Sequence, residues 1–197
     1  MNPRLRRLRA DEAMLREAFG SHPHISVEPG SDDPPTTYWI TYRVPGVLLP
    51  EGSSQPRRVG EHTARVALVA QYPRAKPYCT IETPLFHPNF GPRPGDEICI
   101  GDFWSSGQTI VDIVVKIGQM IQFQAFNIRS PLNAMAAKWS ALHPEILPIG
   151  EIDLWVGCGG GVSKPLTQQD HQTQMAERVP PVERVRMSST IDLTDLS

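Results

Sequence analysis

Three polar side chains in one proline-rich stretch are of the types that acyl-transfer chemistry uses. His87 and Asn89 flank Pro88, and Cys99 follows ten residues after the asparagine. A cysteine thiolate can carry an acyl group as a thioester, an imidazole can act as its base, and a neutral amide can donate to an oxyanion. No Lys, Arg or His lies within three residues of Cys99 in the sequence, so no sequence neighbour activates the thiol by charge.

The elements that must position these residues follow the order of an α+β layer fold. Apolar residues at helical spacing predict a first helix over residues 4–19. Alternation of apolar and polar residues then predicts an antiparallel meander of four strands, at residues 24–28, 38–44, 63–70 and 78–83. Residues 45–61 are rich in Pro, Gly and Ser and are predicted to be a loop.

A long irregular crossing and at least two helices complete the predicted fold. Six prolines between Pro73 and Pro94 exclude a regular element from residues 84–96. Apolar spacing predicts a central helix from Ile110 to Ile121, opened by a capping box of Thr109 and Asp112. Another helix is predicted from about Ser130-Pro131 to Leu142, and residues 151–156 are one more candidate strand.

Composition limits the class of protein. The 197 residues contain 40% apolar residues and carry a net charge of −2, so no basic field draws the chain to nucleic acid. No apolar run is long enough to cross a membrane, and we expect a cytoplasmic location. Three cysteines without a Cys-x-x-Cys pattern argue against a disulfide scaffold or a structural zinc, and nothing calls for a cofactor.

Several short motifs together resemble the ubiquitin-conjugating enzyme family. They occur in the family's order and cover roughly residues 1–145; they are residues 72–77, His87-Pro88-Asn89, residues 97–100, Trp104 through Ile110, and Ser130 through Lys138. The resemblance implies an enzyme that accepts a ubiquitin-like protein from an activating enzyme, holds it as a thioester on Cys99 and passes it to a protein target. A longer loop at residues 90–97 and the absence of a usual final helix are more similar to bacterial relatives that act in antiviral defence.

The resemblance also implies roles for the polar residues around Cys99. It makes His87 a structural residue of the loop and places Ser130 and Asn127 beside the thiol as a gate residue and a loop-supporting residue. Two alternatives stay open for Asn89, namely oxyanion donor and loop brace. For Ser130 and for Asn127 the alternative is helix capping.

The first helix and the C-terminal tail are candidate partner surfaces. Arg4, Arg6, Arg7 and Arg9 make the helix basic, which suits docking of an activating enzyme or merely a solvated face. We expect a conjugating domain at residues 1–145, an extension with a glycine hinge at 146–161, and a polar tail at 162–197. Within that tail, Ile191 to Leu196 alternates apolar and acidic residues and could add a strand to a partner.

Two other functions remain to be separated from the leading one. A catalytically inactive module of the same fold would bind a ubiquitin-like protein or a scaffold partner, but the Cys99 thiol beside Asn89 favours the enzyme. A cysteine hydrolase rests only on the pair His87 and Cys99, since no acid that could orient the histidine is evident.

Overall fold

The computed structural model describes residues 2–101, 104–147 and 150–159. The first helix, α1, spans Pro3–Phe19. It begins where the Asn2 side chain accepts a hydrogen bond from the Arg4 N–H, with Pro3 in the first turn where its missing N–H costs nothing. The predicted helix at residues 4–19 is confirmed.

A four-stranded antiparallel sheet follows, as the meander prediction requires. Its strands are β1 Ile25–Pro29, β2 Thr37–Tyr42, β5 His62–Ala67 and β6 Tyr78–Ile81, in the order β1-β2-β5-β6. Alternate residues of β2 and β5 point into the core, because side chains on a strand alternate between the two faces of the sheet. The α+β fold class predicted from the sequence is confirmed.

The segment at residues 45–61 differs from the loop prediction. It contains a small hairpin of β3 Gly46–Leu48 and β4 Arg57–Val59, paired antiparallel as a separate two-stranded sheet. Three-residue strands are too short to show an alternating pattern among the surrounding Pro, Gly and Ser. The Val47 carbonyl also accepts a hydrogen bond from the Phe86 N–H at 2.7 Å, which ties the hairpin to the crossing.

The central helix α2, Ile110–Ile121, packs on the sheet and has the predicted capping box. Thr109 and Asp112 exchange side-chain to backbone hydrogen bonds at 3.1 and 2.8 Å. The Tyr42 hydroxyl donates to the Val114 carbonyl at 2.9 Å and so joins β2 to α2. Ten of the twelve α2 residues are buried, and the two exceptions, Asp112 and Lys116, lie four apart on one face.

The last helix, α3, spans Ala134–Leu142 and begins later than the Ser130-Pro131 motif predicted. Its N-cap is Asn133, whose side chain accepts from the Ala136 N–H at 3.0 Å. The Leu132 and Asn133 N–H groups both donate to the Pro88 carbonyl, which holds this segment out of the helix and against the crossing. A 3₁₀ turn at Pro144–Ile146 follows α3.

Residues 151–156, the candidate fifth strand, form a turn-rich strap and no strand. The carbonyls of Gly150 and Ile152 accept hydrogen bonds from the side-chain amide of Gln124, so they are occupied without a neighbouring strand. Leu154 and Trp155 of the strap are buried in the core. Adding a Cβ at Gly118 would bring it within 2.3 Å of Leu154, so only glycine lets the strap approach α2 this closely.

All described residues belong to the unit formed by residues 1–163. The boundary predicted at residue 145 and the hinge near residue 157 stay predictions. The tail motif, Ile191 to Leu196, lies outside the described residues. Among the residues described, none of the helices combines the length and the apolarity that crossing a bilayer requires.

Candidate active site

Cys99 lies in an extended segment that runs from the crossing towards α2. Ile98 and Ile100 are buried, whereas Cys99 and Gly101 are half-buried, as expected for alternation in extended chain. The Ile98 N–H donates to the Cys79 carbonyl at 2.8 Å, and the Cys99 N–H donates to the Asn89 carbonyl at 2.9 Å. The thiol therefore stands on a segment that is anchored to β6 on one side and to the His87–Asn89 loop on the other.

Both of the other cysteines have thiols whose pKa is raised by burial. Cys79 on β6 is 2% exposed, and burial raises the pKa of its thiol to about 12. The sequence favours an exposed Cys158, but this residue is half-buried, its Sγ donates to the Leu154 carbonyl at 3.4 Å, and burial raises its pKa. Both groups stay protonated at neutral pH, and a protonated thiol is a poor nucleophile.

His87 is fully buried and holds the loop rather than a proton. Its Nδ1 accepts from the Asn89 N–H at 3.1 Å, and its ring packs against Phe90 and Phe123 with centroids 4.8 and 4.4 Å apart. Burial lowers the pKa of the imidazole to about 3, so the ring is neutral at physiological pH. This environment fits the structural role that the family resemblance implies and is unfavourable for the general base of a cysteine hydrolase.

The Asn89 side chain closes a two-point bridge to the backbone of Asn127. Its Oδ1 accepts from the Asn127 N–H at 2.7 Å, and its Nδ2 donates to the Asn127 carbonyl at 2.8 Å. With only 3% of the residue exposed, this bridge supports the bracing alternative directly. One Nδ2 hydrogen is left over, so the oxyanion alternative stays a hypothesis.

Asn127 and Ser130 lie at the exposed end of this bridge. The Asn127 side chain accepts from the Arg129 N–H at 2.8 Å and shapes the turn that leads to Ser130. Ser130 is exposed, and the capping role predicted for it belongs to Asn133. A site role for Ser130 is still a prediction, and it would be that of an uncharged group near the attacking nucleophile.

The four arginines near the start of α1, at positions 4, 6, 7 and 9, divide into two kinds. Arg7 bonds Asp11 at 3.0 Å, the Tyr72 hydroxyl at 3.0 Å, and the carbonyls of Ser106 and Gln108 at 2.8 and 2.6 Å. Arg4 reaches the carbonyls of the chain after β5, which are those of Leu68 and Val69. Arg6 and Arg9 are exposed, so these two remain available to a partner.

A buried cluster joins α1 to the segment before α2. The Tyr72 hydroxyl donates to Asp11 at 2.6 Å, and the Trp104 Nε1–H donates to the Pro73 carbonyl at 2.8 Å. Burial raises the pKa of the Asp11 carboxyl, although Tyr72 and Arg7 both oppose that shift. The cluster gives Tyr72 and Trp104 packing and hydrogen-bonding roles within the fold.

Two lysines near Cys99 are not identified as site residues by the sequence patterns. The Lys76 Nζ donates to the Gly101 carbonyl at 3.1 Å, and the Lys116 Nζ lies 3.3 Å from where a Cβ of residue 101 would stand. Burial lowers the pKa of Lys116; the charge of a Cys99 thiolate opposes this shift, and the charge of Lys76 adds to it. The signal available in the sequence is a single lysine within the apolar run of α2, at position 116.

The site has the groups for acyl transfer through a thiol. Among the described residues, no three His, Cys, Asp or Glu side chains are grouped as a metal site would require. An accessible thiol, a rigid neutral loop and two amines surround residues 99–101. The arrangement can hold an acyl group on sulfur and present it to a nucleophile.

Comparison with known proteins identifies a family model and a solved structure that are similar to this chain. Residues 51–146 match the family model described as "Ubiquitin-conjugating enzyme". This finding supports the resemblance to the ubiquitin-conjugating enzyme family that the sequence motifs indicate. The match to the conjugating-enzyme model begins after α1, β1 and β2, so it covers a shorter stretch than residues 1–145.

A solved structure titled "Novel Ubiquitin-Conjugating Enzyme" is similar in fold. It aligns with a TM-score of 0.50 and 22% identity over 72% of this chain and 90% of the other. A search of curated protein sequences finds no match. The chain therefore has a UBC-like fold, the fold of ubiquitin-conjugating enzymes.

Proposed function

We propose that this chain is a conjugating enzyme that carries a ubiquitin-like protein as a thioester on Cys99 and transfers it to a nucleophile on a protein target. The observation that carries the proposal is the placement of the Cys99 thiol, half-exposed on a segment whose backbone is fixed to Asn89. The family-model match over residues 51–146 includes this segment.

The chemistry takes place in two exchanges of an acyl group. In the first, the Cys99 thiolate attacks the thioester that the activating enzyme presents, a new C–S bond forms, and the activating enzyme's thiolate leaves. In the second, the target nucleophile attacks the carbonyl on Cys99, and the Cys99 thiolate leaves. A thiolate is a far better leaving group than an alkoxide, so the acyl group stays reactive throughout.

Because the acyl group arrives already activated, the site does not need a histidine base. The neutral, buried His87 is consistent with this, since its Nδ1 is occupied by the Asn89 N–H. The bridge between Asn89 and Asn127 acts instead on position, holding the loop on which Cys99 depends. Accurate positioning of reacting groups is worth several orders of magnitude in rate.

For the activating enzyme we propose the exposed part of α1 as the docking surface. Arg6 and Arg9 point their charge to solvent, whereas Arg7 is held by internal bonds. The tail segment Ile191 to Leu196 and the bacterial antiviral setting stay predictions of the sequence.

The test is to incubate the purified full chain with its activating enzyme, modifier and ATP and to separate the products with and without a thiol reductant. We expect a thiol-labile adduct that becomes thiol-resistant in Cys99→Ser, because an oxygen ester replaces the thioester. Cys158→Ser is the matched control and should keep the labile adduct. An adduct that persists in Cys99→Ala contradicts the proposal, and binding of the modifier without any adduct identifies an inactive module.

A further inference from the structure

Lysine is scarce in this chain, and half of the lysines meet at one glycine. The sequence holds four, at positions 76, 116, 138 and 164, among 19 basic residues. The amines of Lys76 and Lys116 both lie at Gly101, two residues after Cys99. Arginine remains charged in proteins, whereas a lysine can lose its proton and act as a nucleophile. A lysine at this point therefore offers a chemistry that the arginines used elsewhere cannot.

The backbone places the Lys116 amine on the same side of the segment as the thiol. Ile98 and Ile100 point into the core, so Cys99 and Gly101 share the opposite side. Their separation along extended chain is about 7 Å. Because residue 101 lacks a side chain and has a φ of +104°, the Lys116 Nζ can lie against its Cα.

The surroundings of the two lysines favour an uncharged amine on Lys116. Its stem comes from α2, a helix whose other side is core, and burial lowers its pKa, although the charge of a Cys99 thiolate opposes that shift. Lys76 adds a second positive charge nearby, and no carboxylate among the described residues forms an ion pair with either lysine. Desolvation and a neighbouring cation are the two environments that activate lysine as a nucleophile.

We propose that Lys116 is an internal acceptor, a modification site that takes the acyl group from the Cys99 thioester. The inference rests on the proposed function, because it needs an acyl group on Cys99. The neutral Nζ attacks the thioester carbonyl, a C–N bond forms and the C–S bond breaks. The thiolate leaves and recovers the proton that the amine loses, so the products are an amide on Lys116 and a free Cys99 thiol.

Such a transfer would give the enzyme a self-modified form that a thiol cannot reverse. It would compete with transfer to the target whenever no target nucleophile reaches the thioester. The ratio of the two outcomes then depends on how well the target excludes the Lys116 amine from the carbonyl.

A small acyl thioester tests the inference without any partner protein. The full chain is incubated with the acetyl-glycyl-glycine thioester of 2-mercaptoethanesulfonate, and half of each sample is treated with hydroxylamine, which removes thioesters and leaves amides. Fragment-ion sequencing locates each acyl group, and the amide is expressed as the fraction of the chain that is modified at Lys116 under the same conditions in every variant. We expect a hydroxylamine-resistant amide on Lys116, lowered at least about tenfold by Cys99→Ala, since delivery becomes intermolecular.

Two lysine variants complete the design. Lys116→Arg keeps a long cationic side chain and should lose the amide, whereas Lys138→Arg, on the exposed face of α3, should keep it. An amide of equal yield in Cys99→Ala, or one spread over Lys76 and Lys138, overturns the inference. Acyl-Cys99 that accumulates without any amide overturns it as well but leaves the proposed function standing. Failure to acylate Cys99 at all counts against both.

Discussion

Two regions that flank Cys99 are built on opposite principles. The loop side, residues 87–89 with Asn127, is neutral, and its side-chain hydrogen bonds run between groups of the chain itself. The lysine side, Lys76 and Lys116, brings two amines to Gly101. The difference separates two tasks: a neutral hydrogen-bonded network holds the loop to which the Cys99 backbone is bonded, and two amines lie beside Gly101, two residues further along.

A further support comes from Arg7 on α1, which contacts neither residues 87–89 nor Asn127. Arg7 reaches the carbonyls of Ser106 and Gln108 just before α2 begins. Through Tyr72 it is linked to the segment that carries Lys76. Arg7 therefore joins the first helix to the segment before α2 and, through Tyr72, to the segment that carries Lys76.

The largest effect is expected from breaking the loop side at Asn89. Asn89→Ala removes both hydrogen bonds to the Asn127 backbone and should lower the rate of acyl transfer on the order of 100-fold. It should also cost about 2 kcal/mol of stability, since two partly buried bonds are lost. Denaturant unfolding and single-turnover transfer measure the two quantities on the same sample. A loss of rate with unchanged stability would show that Asn89 acts on the oxyanion and not as a brace.

A smaller loss is expected where α1 supports the segment before α2. Arg7→Met leaves the Asp11 carboxyl buried without its cation, and we expect a loss of about 2 kcal/mol because protonation of Asp11 relieves part of the penalty. Arg6→Met, one position away and exposed, is the matched control and should change stability by less than about 0.5 kcal/mol. Equal unfolding midpoints for the two variants would refute the supporting role of Arg7.

Acid should lower the free energy of unfolding, because two buried histidines, His87 in the loop and His62 on β5, are neutral in the folded chain. Burial lowers the pKa of His87 to about 3 and that of His62 to about 4. Below pH 6.5 the unfolded chain therefore binds more protons than the folded chain. The contribution of the two neutral histidines to the free energy of unfolding is therefore fully present above about pH 6.5. It falls towards pH 4 by about 1.4 kcal/mol per pH unit for each histidine. Urea unfolding at several pH values measures the slope, which His87→Gln should reduce. A slope that this variant leaves unchanged would contradict a neutral His87.

The smallest effect concerns the start of α3, where the loop side ends. Asn133→Ala removes the N-cap bond to Ala136 and should cost about 1 kcal/mol. Ser130→Ala, three residues earlier and exposed, should change stability by less than about 0.5 kcal/mol. Thermal unfolding of both variants provides the comparison. The reverse order would restore Ser130 as the cap.

The same contrast explains what could be predicted from the sequence. Local patterns were sufficient for α1, the four main strands and α2, because amphipathic spacing and a capping box are contained in neighbouring residues. The start of α3 was missed because Ser130-Pro131 is a good local signal, and only the bonds from Leu132 and Asn133 to Pro88 override it. Those bonds join segments more than forty residues apart in sequence, which no local pattern reveals.

The site residues likewise divide into those that local sequence identifies and those that depend on tertiary packing. His87, Asn89 and Cys99 lie close together in the chain, so their types and spacing were enough to single them out. Lys116 comes from a helix that otherwise faces the core, and its approach to Gly101 depends on how α2 packs. The strap at residues 150–159 is likewise held by tertiary contacts, such as the His22 Nε2 3.2 Å from the Leu154 carbonyl.

Mapping the acyl-carrying residue tests the central claim most directly. After reaction with activating enzyme, modifier and ATP, the adduct is digested without reductant by a protease that cleaves after glutamate. Cleavage after Glu97 separates Cys99 from Cys79, so each thiol lies on its own peptide. The account predicts a thiol-labile modification on the peptide that begins at Ile98. A labile modification on Cys79 or Cys158, with Cys99 free, would contradict it.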